Sequence, residues 1–378
     1  MSKNPTARGI REALPWLPTL LRVVLFLFLL YVFFCSIEVM STAFMLAGEG
    51  FAEKLIRTVS DPIAGLLLGF VATAVIQSSS TTTTIVVGLV AGTAAGGGPS
   101  LTIELAIPII MGANVGTTTT AILVSLGHVT RPEEFERAFA ASTVHDFFNV
   151  LAALTILPLE LLFHPVQKVA VVLQGIFAGV GGMSLSSPLK AIVGPVAETV
   201  AGWVDHPALL AILGLAALFL ALQQMVRVMR GAIISRLENL FSRVLFRNDA
   251  ASFGLGLVTT ATVQSSSATT SLVIPLAGTG VLDLRQIYPY TLGANVGTTV
   301  TTILGSLATG NAVAVTVALA HLTFNVLGIL IFYPLAGLPI WLATKAGKFA
   351  ARSRRNSVWA VAIFLATIIL PLLYVFFF

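Results

Sequence analysis

Two long apolar stretches of this chain are each interrupted by the same polar motif. Gln-Ser-Ser-Ser occurs at 77–80, inside the apolar stretch 62–93, and again at 264–267, inside the stretch 253–280. Serine and threonine side chains compete for backbone hydrogen bonds, so such a cluster favours a helix break. A break at membrane depth is tolerated only inside protein or beside a cavity. Both stretches are therefore predicted to be re-entrant helical hairpins that enter and leave on one side of the membrane.

The composition is that of an integral membrane protein. Of the 378 residues, 56% are hydrophobic and 10% are charged, whereas a soluble domain carries about 25% charged residues. Seven further apolar runs have the roughly 20 residues that cross a bilayer as a helix. We expect an all-α membrane protein with about seven full spans besides the hairpins. The predicted spans are 20–46, 101–126, 139–163, 207–229, 286–307, 313–343 and 358–378.

Charge between the apolar runs predicts the orientation. The net charge of +5 comes from clusters in loops, which does not indicate nucleic-acid binding. The run 20–46 is too long for a cleaved signal segment and is predicted to be a retained span. With a cytoplasmic N-terminus, the basic clusters 131–137, 227–247 and 345–355 all face the cytoplasm, as expected for positive-inside loops. The sole cysteine, Cys35, and the compact loops favour a bacterial inner membrane.

Three motif pairs recur in the same order in the two halves. Besides the Gln-Ser-Ser-Ser pair, Gly-Ala-Asn-Val-Gly-Thr-Thr occurs at 112–118 and 293–299. A histidine followed three residues later by Phe-Asn-Val-Leu occurs at 145–151 and 321–327. The loop charges place the two hairpin mouths on opposite sides, so the halves are predicted to be inverted repeats, the architecture of secondary transporters.

The predicted divisions are a cytoplasmic N-terminus 1–19, a first repeat 20–163 with its hairpin at 62–94, an extracellular linker 164–206 with amphipathic helices, a second repeat 207–343 with its hairpin at 252–281, a basic cytoplasmic loop 344–357 and a terminal span 358–378.

The motif regions offer oxygen atoms and amides but almost no charge. Glu104 is the only charged residue between Asp61 and Arg131, and none lies between Asp249 and Asp283. Hydroxyl, amide and carbonyl oxygens suit a hard cation such as Na⁺. A helix that restarts after each motif also directs free N–H groups at the break, which suits an oxyanion. Since no Lys or Arg is expected beside the motifs, a buried dianion needs accompanying cations, and co-bound Na⁺ meets that need.

The paired motifs, each followed by Gly-Ala-Asn-Val-Gly-Thr-Thr, resemble those of the type II sodium–phosphate cotransporters and their bacterial relatives. The resemblance covers 62–160 and 250–340 and implies a sodium-coupled symporter of inorganic phosphate, not an enzyme, with Na⁺ as the cotransported ion and no organic cofactor. Met111 stands where electrogenic members of the family carry an aspartate. The implied phosphate-binding residues are Gln77, Ser78, Ser79, Ser80, Gln264, Ser265, Ser266 and Ser267. The implied sodium site comprises Gln77, Asn114, Thr298 and Thr301, and pseudo-symmetry extends it to a second set, Gln264, Asn295, Thr117 and Thr120.

Structural explanations stand beside these functional ones. Serine and threonine in membrane helices often bond to backbone carbonyls or mediate close packing, and packing is the predicted role of the motif glycines. The histidines are predicted to form structural hydrogen bonds, for instance to a hairpin backbone, with gating or proton coupling as the alternative. Asp146 is a functional candidate because it is an intramembrane carboxylate, with a salt bridge or an interfacial position as the alternative. The candidates for gating or for support of the site are His145, Asp146, Asn149, His321 and Asn325.

Other functions remain open at this level. Phosphate export, carriage of another oxyanion such as sulfate or arsenate, and a Ser/Thr-lined ion channel are alternatives to sodium-driven symport. A serine hydrolase is disfavoured because neither motif has a His or Asp base at helical spacing. The arginines of 227–247 are interpreted as topology determinants that contact lipid headgroups. Phosphate, sodium ions and membrane lipid are the expected partners, nucleic acid is not, and a homodimer is compatible with a carrier of this size.

Overall fold

A computed structural model describes residues 17–96, 100–204, 206–245 and 248–377. All regular secondary structure in these ranges is helical, with fifteen α-helices and three short 3₁₀ segments. The helices are α1 (Leu17–Val59), α2 (Pro62–Ile76), α3 (Ser79–Ala95), α4 (Ile103–Val115), α5 (Thr119–Ser125), α6 (Pro132–Phe163), α7 (Pro165–Gly179), α8 (Ser186–Trp203), α9 (Pro207–Leu245), α10 (Asp249–Val263), α11 (Ser266–Gly278), α12 (Leu284–Ala308), α13 (Ala312–Phe332), α14 (Gly337–Ala351) and α15 (Arg354–Phe377).

Five of these helices contain a segment long and apolar enough to cross a membrane, so the chain is a multi-pass membrane protein. The α12 helix agrees with the predicted span 286–307 in its bounds, but it is too polar to belong to the five. The five segments are Leu20–Ala47, Pro132–Phe163, Pro207–Met225, Ala312–Phe332 and Arg354–Tyr374.

Two predicted spans are wrong as continuous helices. The span 101–126 is divided by the 3₁₀ segment Gly116–Thr118 into α4 and α5. The break falls at four consecutive threonines, 117–120. In the continuous helix α12, a valine, Val300, stands at the position of Thr119. Threonine is a poor helix former because it is β-branched and its hydroxyl bonds to the backbone. The helix of the span 313–343 ends at Phe332, two residues before Pro334, which lacks the N–H donor needed to continue the helical hydrogen bonds.

The segment 344–357, predicted to be a basic loop, is helical apart from residues 352 and 353, which separate α14 from α15. The linker 164–206 consists mainly of α7 and α8. The buried Glu160 carboxylate accepts hydrogen bonds from Val166 N at 2.7 Å and Gln167 N at 3.1 Å, so it caps the start of α7. Lys190 of α8 donates to Thr309 O at 3.2 Å, which ties the linker to the end of α12.

Glycines let the helix before each Gln-Ser-Ser-Ser motif pack closely against a second helix, α2 against α4 and α10 against α12. A Cβ at Gly112 of α4 would overlap Leu66 O of α2, and a Cβ at Gly293 of α12 would overlap Phe253 O of α10. The predicted packing role of these glycines is therefore confirmed. Close backbone approach through small residues is a common way for helices to associate in a bilayer.

The largest apolar cluster contains residues from both halves of the chain. Phe148 of α6 packs edge-on against Tyr288 of α12 and Phe332 of α13, with ring centroids 6.2 Å and 6.5 Å away. Phe148, Phe324 and Tyr288 are all buried in this cluster. Aromatic pairs in this geometry are favourable beyond their area burial, so the cluster holds the two halves together.

Candidate functional site

The two Gln-Ser-Ser-Ser motifs have the same backbone conformation. Helices α2 and α10 each end one residue before the motif glutamine, and Gln77 and Gln264 have φ of 61° and 60° with ψ of 26°. Their N–H groups donate to Thr73 O and Thr260 O, each at 2.7 Å. This left-handed conformation is uncommon for a residue other than glycine, and such residues cluster at functional sites. The predicted helix break is present at both motifs.

Ser78 and Ser265 cap the helices that follow the breaks. Both have extended backbones, and their hydroxyl oxygens accept hydrogen bonds from Thr81 N and Ala268 N, each at 3.2 Å. A helix N-terminus leaves N–H groups unpaired within the helix and carries a partial positive charge. Each break therefore directs the positive end of a helix, α3 or α11, toward the space beside its motif.

Both breaks line one cavity of about 360 Å³. The first motif contributes Gln77 and Ser78 to its wall, and the second contributes Gln264 and Ser265. The structure thus brings together four of the eight predicted phosphate-binding residues, two from each half. The cavity wall combines glutamine amides, serine hydroxyls and two helix N-termini, a set of groups suited to an anion.

The other four motif serines lie behind this wall. Ser79, Ser80, Ser266 and Ser267 are buried in the first turns of α3 and α11. Ser267 Oγ donates to Thr117 O at 3.2 Å and so joins the second motif to the first half. These residues sit where the helix N-termini begin, and the structure does not place their side chains among the groups that line the cavity.

A third element, α9, completes the cavity wall and corrects one expectation. Phe219, Gln223 and Arg227 lie one turn apart on the face of α9 that lines the cavity. The expectation that no Lys or Arg lies beside the motifs is therefore wrong. No sequence signal links Arg227 to the motifs, because only the packing of α9 beside them brings its guanidinium to the cavity.

A buried cluster of histidines and asparagines joins the two halves. His145 Nε2 lies 2.9 Å from Asn295 Oδ1, and His321 Nε2 lies 3.4 Å from Asn114 Oδ1. Asn295 Nδ2 also donates to Asn149 Oδ1 at 2.7 Å. Each histidine thus contacts the motif asparagine of the opposite half. The predicted structural hydrogen bonds are present, with side-chain amides, and for His321 also the Thr302 hydroxyl, rather than a hairpin backbone as partners.

Two further asparagines support the motif asparagines from within their own halves. Asn149 Nδ2 donates to Asn114 O at 2.9 Å, and Asn325 Nδ2 donates to Asn295 O at 3.3 Å. All four asparagines are buried. Since a buried amide must be hydrogen-bonded to offset its desolvation, this network holds the cluster in one arrangement.

The threonines predicted to bind sodium are distributed unevenly. Thr301 Oγ1 donates to Gln264 Oε1 at 2.6 Å, so it contacts the glutamine of the second predicted set rather than that of its own. The hydroxyls of Thr298 and Thr117 donate to the backbone carbonyls of Asn295 and Ala113. The side chain of Thr120 lies outside the described part of the structure.

Thr83 Oγ1 and Thr302 Oγ1, 2.8 Å apart, form a further bridge between the halves that the sequence did not reveal.

Asp146 is separated from this cluster. It lines a second cavity of about 360 Å³, which is mostly apolar and lies between α6, α14 and α15, with Phe139, Phe147 and Phe364 on its wall. Asp146 follows His145 directly, and neighbouring residues of a helix point in different directions. The structure therefore groups His145, Asn149, His321 and Asn325 with the motif asparagines and leaves Asp146 apart.

The chain matches a protein-family model and several known proteins. A model described as Na⁺/Pi-cotransporter matches residues 32–187 and 217–341 of the chain. The sodium-dependent phosphate transport protein 2B of Pongo abelii is 30% identical over 91% of this chain and 63% of its own length. The sodium-dependent phosphate transport proteins 2A of Rattus norvegicus and Mus musculus are 31% and 32% identical, each over 89% of this chain and 64% of their own length. No solved structure matches the chain.

The chain spans somewhat less than two thirds of the length of these curated relatives. The family model, however, covers both motif pairs and most of the helices that surround the cavity. The chain belongs to the Na⁺/Pi-cotransporter family.

Proposed function

We propose that this protein is a sodium-coupled symporter of inorganic phosphate that works by alternating access, a transporter and not an enzyme. The observation that carries the proposal is the single cavity lined by Gln77 and Ser78 from one half and by Gln264 and Ser265 from the other. The relatives named sodium-dependent phosphate transport proteins support the choice of ions.

Phosphate binds in this cavity between the N-termini of α3 and α11. The amides of Gln77 and Gln264 and the hydroxyls of Ser78 and Ser265 face the anion. Ser79, Ser80, Ser266 and Ser267 contribute through the first turns of the two helices, whose N–H groups and dipoles favour a negative charge. Two converging helix ends provide several donors to one anion, which a single break does not.

Sodium ions bind at the interface of the halves and neutralise the dianion. One site comprises Gln77, Asn114, Thr298 and Thr301, and the pseudo-symmetric site comprises Gln264, Asn295, Thr117 and Thr120. The bond of 2.6 Å from Thr301 to Gln264 supports a role for that hydroxyl beside a motif glutamine. Each tenfold sodium gradient supplies about 1.4 kcal/mol per ion, and an inside-negative potential adds about 2.3 kcal/mol per net charge per 100 mV.

The helix pairs α2–α3 and α10–α11, each interrupted by a Gln-Ser-Ser-Ser motif, are re-entrant hairpins of inverted repeats. Helices α2 and α10 have 15 residues and α11 has 13, which correspond to about 20–22 Å and fall short of the roughly 30 Å hydrocarbon core. This length supports hairpins that do not cross. The repeats occupy 20–163 and 207–343, with a cytoplasmic N-terminus, an extracellular linker at 164–206 and an inner-membrane location.

Alternating access exchanges contacts between the halves. The bonds from His145 to Asn295, from Ser267 to Thr117 and between Thr83 and Thr302 cross from one half to the other. These bonds hold one orientation of the repeats. Rocking of the repeats about the shared cavity breaks some of them and forms others, as a two-state mechanism requires.

The test is uptake of radiolabelled phosphate into proteoliposomes under an inward gradient of sodium, potassium or choline. Uptake driven by sodium alone, and lost in both Gln77→Ala and Gln264→Ala, supports the proposal. Equal uptake in the three salts removes sodium coupling. Unitary currents far above the turnover of a carrier would instead indicate a channel.

A further inference from the structure

Arg227 is the one ionisable side chain among the described residues that line the cavity shared by the two motifs. It lies on α9, two residues beyond the apolar segment Pro207–Met225, and it is exposed. It forms no ion pair with any residue whose side chain the structure describes. Its guanidinium is therefore available to an anion that enters the cavity.

Gln223 lies one turn before Arg227 on the same face of α9 and lines the same cavity. The rise between them is about 6 Å. Gln223 is partly buried, whereas Gln264 of the second motif is buried. Gln77 of the first motif is exposed like Arg227, so the wall carries an exposed guanidinium and an exposed amide beside more deeply buried polar groups.

The positively charged groups of this wall, the two helix N-termini and the Arg227 guanidinium, differ in the size of their charge. Each helix N-terminus offers a partial charge of about +0.5, and the capping serines already accept hydrogen bonds from Thr81 N and Ala268 N. Arginine carries a full positive charge, and its planar fork matches two phosphate oxygens with parallel N–H donors. No other described group on the wall attracts an anion as strongly.

We propose that Arg227, assisted by Gln223, is an anion-binding residue of this cavity that holds phosphate beside the N-termini of α3 and α11. The inference rests on the proposed function for the identity of the anion. It replaces the interpretation of Arg227 as a lipid-headgroup contact, since the side chain belongs to the wall of the cavity that both motifs line.

The test compares phosphate uptake by Arg227→Gln, Arg227→Lys and Arg352→Gln proteoliposomes at saturating sodium. Arg352 is an exposed arginine between α14 and α15 and serves as the matched control. Arg227→Gln is expected to raise the phosphate KM about tenfold, the loss of one charged contact, with the sodium dependence unchanged. Arg227→Lys keeps the charge without the fork and has an intermediate KM, and Arg352→Gln has the KM of the unmodified protein. An unchanged phosphate KM in Arg227→Gln overturns the inference.

Charge restoration separates anion binding from a loss of folding. Cys35, the only cysteine, is buried, so it is replaced by alanine and Arg227→Cys is added. Modification with a positively charged methanethiosulfonate is expected to lower the phosphate KM again, whereas a neutral reagent leaves it high. Equal effects of the two reagents contradict a role of the charge.

Lipid composition distinguishes free phosphate from a phosphate headgroup. The KM increase in Arg227→Gln is expected to be the same in vesicles of phosphatidylcholine and in vesicles that contain phosphatidylglycerol. An increase confined to the anionic vesicles assigns Arg227 to lipid and overturns the inference. If the unmodified protein takes up no phosphate, the proposed function fails, and equilibrium binding of labelled phosphate to the same purified variants decides the inference: weaker binding in Arg227→Gln alone supports it, and equal binding overturns it.

Discussion

His145 Nε2 lies 2.9 Å from Asn295 Oδ1, so a histidine of one half is hydrogen-bonded to the motif asparagine of the other half. Asn295 Nδ2 donates to Asn149 Oδ1, which fixes the orientation of the Asn295 amide and makes its oxygen the acceptor for His145. The proton of His145 is therefore assigned to Nε2. The bond couples the two halves at the level of the Gly-Ala-Asn-Val-Gly-Thr-Thr motifs.

This bond predicts a measurable coupling between His145 and Asn295. In a double-mutant cycle of His145→Ala and Asn295→Ala, we expect a coupling free energy of about 0.5–2 kcal/mol, the range found for polar contacts in membrane proteins. The measurement is the free energy of unfolding of the four proteins in one detergent. The matched pair His321 and Asn114, at 3.4 Å, should couple less because the bond is long. Additive effects at His145 and Asn295 would show that the contact does not join the halves.

The second prediction concerns the effect of alanine at two glycines of α10 on the free energy of unfolding. A Cβ at Gly256 would overlap Tyr290 O of α12, whereas a Cβ at Gly254 meets no atom within 4 Å. Gly256→Ala is therefore expected to lower the free energy of unfolding by about 1–3 kcal/mol through overpacking. Gly254→Ala should raise it by about 0.5–1 kcal/mol, because alanine favours the helix. Thermal unfolding of both variants measures the difference, and equal midpoints would contradict the close approach of α10 and α12.

The hydroxyl of Thr301 makes a third prediction. It donates to Gln264 Oε1 at 2.6 Å, so Thr301→Val removes both this bond and a proposed sodium ligand. We expect the sodium concentration for half-maximal uptake to rise about tenfold, equivalent to about 1.4 kcal/mol, while Thr301→Ser stays within about twofold of the unmodified protein.

The control for Thr301 is Thr316→Val. Thr316 is also buried and donates to a backbone carbonyl, that of Ala312, at the start of α13. Its loss should leave the sodium dependence unchanged. A sodium dependence that is unaltered in Thr301→Val, or altered equally in Thr316→Val, would remove Thr301 from the proposed site.

If the repeats are inverted, as we propose, the two hairpin mouths are accessible from opposite sides of the membrane. In a Cys35→Ala background, Ser60→Cys precedes the first hairpin and Ala250→Cys begins the second; both positions are exposed. A membrane-impermeant maleimide added to intact cells should label Ser60→Cys, whereas Ala250→Cys should react only after the cells are opened. Arg352→Cys serves as a cytoplasmic control. Labelling of Ser60→Cys and Ala250→Cys from the same side would exclude inverted repeats.

Local backbone features were predictable because they depend on neighbouring residues. The serine clusters predicted the breaks at Gln77 and Gln264, and the glycine spacing predicted the close packing of Gly112 and Gly293. Both depend on short-range competition for hydrogen bonds or on the absence of a side chain. The division of the predicted span 313–343 was also within reach, since Pro334 marks it, but hydropathy alone extends the helix through that residue.

Contacts between distant segments were not predictable in the same way. Arg227 lies near the end of the predicted span 207–229, where the basic run 227–247 begins, and nothing in its neighbourhood indicates that α9 lines the motif cavity. The bridge from Thr83 to Thr302 joins residues without a motif of their own. Such contacts follow from helix packing across the halves, which a single sequence does not encode in its local pattern.

A phosphate site shared by the two motifs is tested by the number of phosphate ions that one chain binds. Equilibrium binding of labelled phosphate to the purified protein in saturating sodium should give one ion per chain, because both motifs line one cavity. Gln77→Asn and Gln264→Asn retain a residue that tolerates the left-handed conformation but withdraw the amide by one methylene, so each alone should weaken that single binding event about tenfold or more. Two ions per chain, with one lost in each variant, would contradict a shared site.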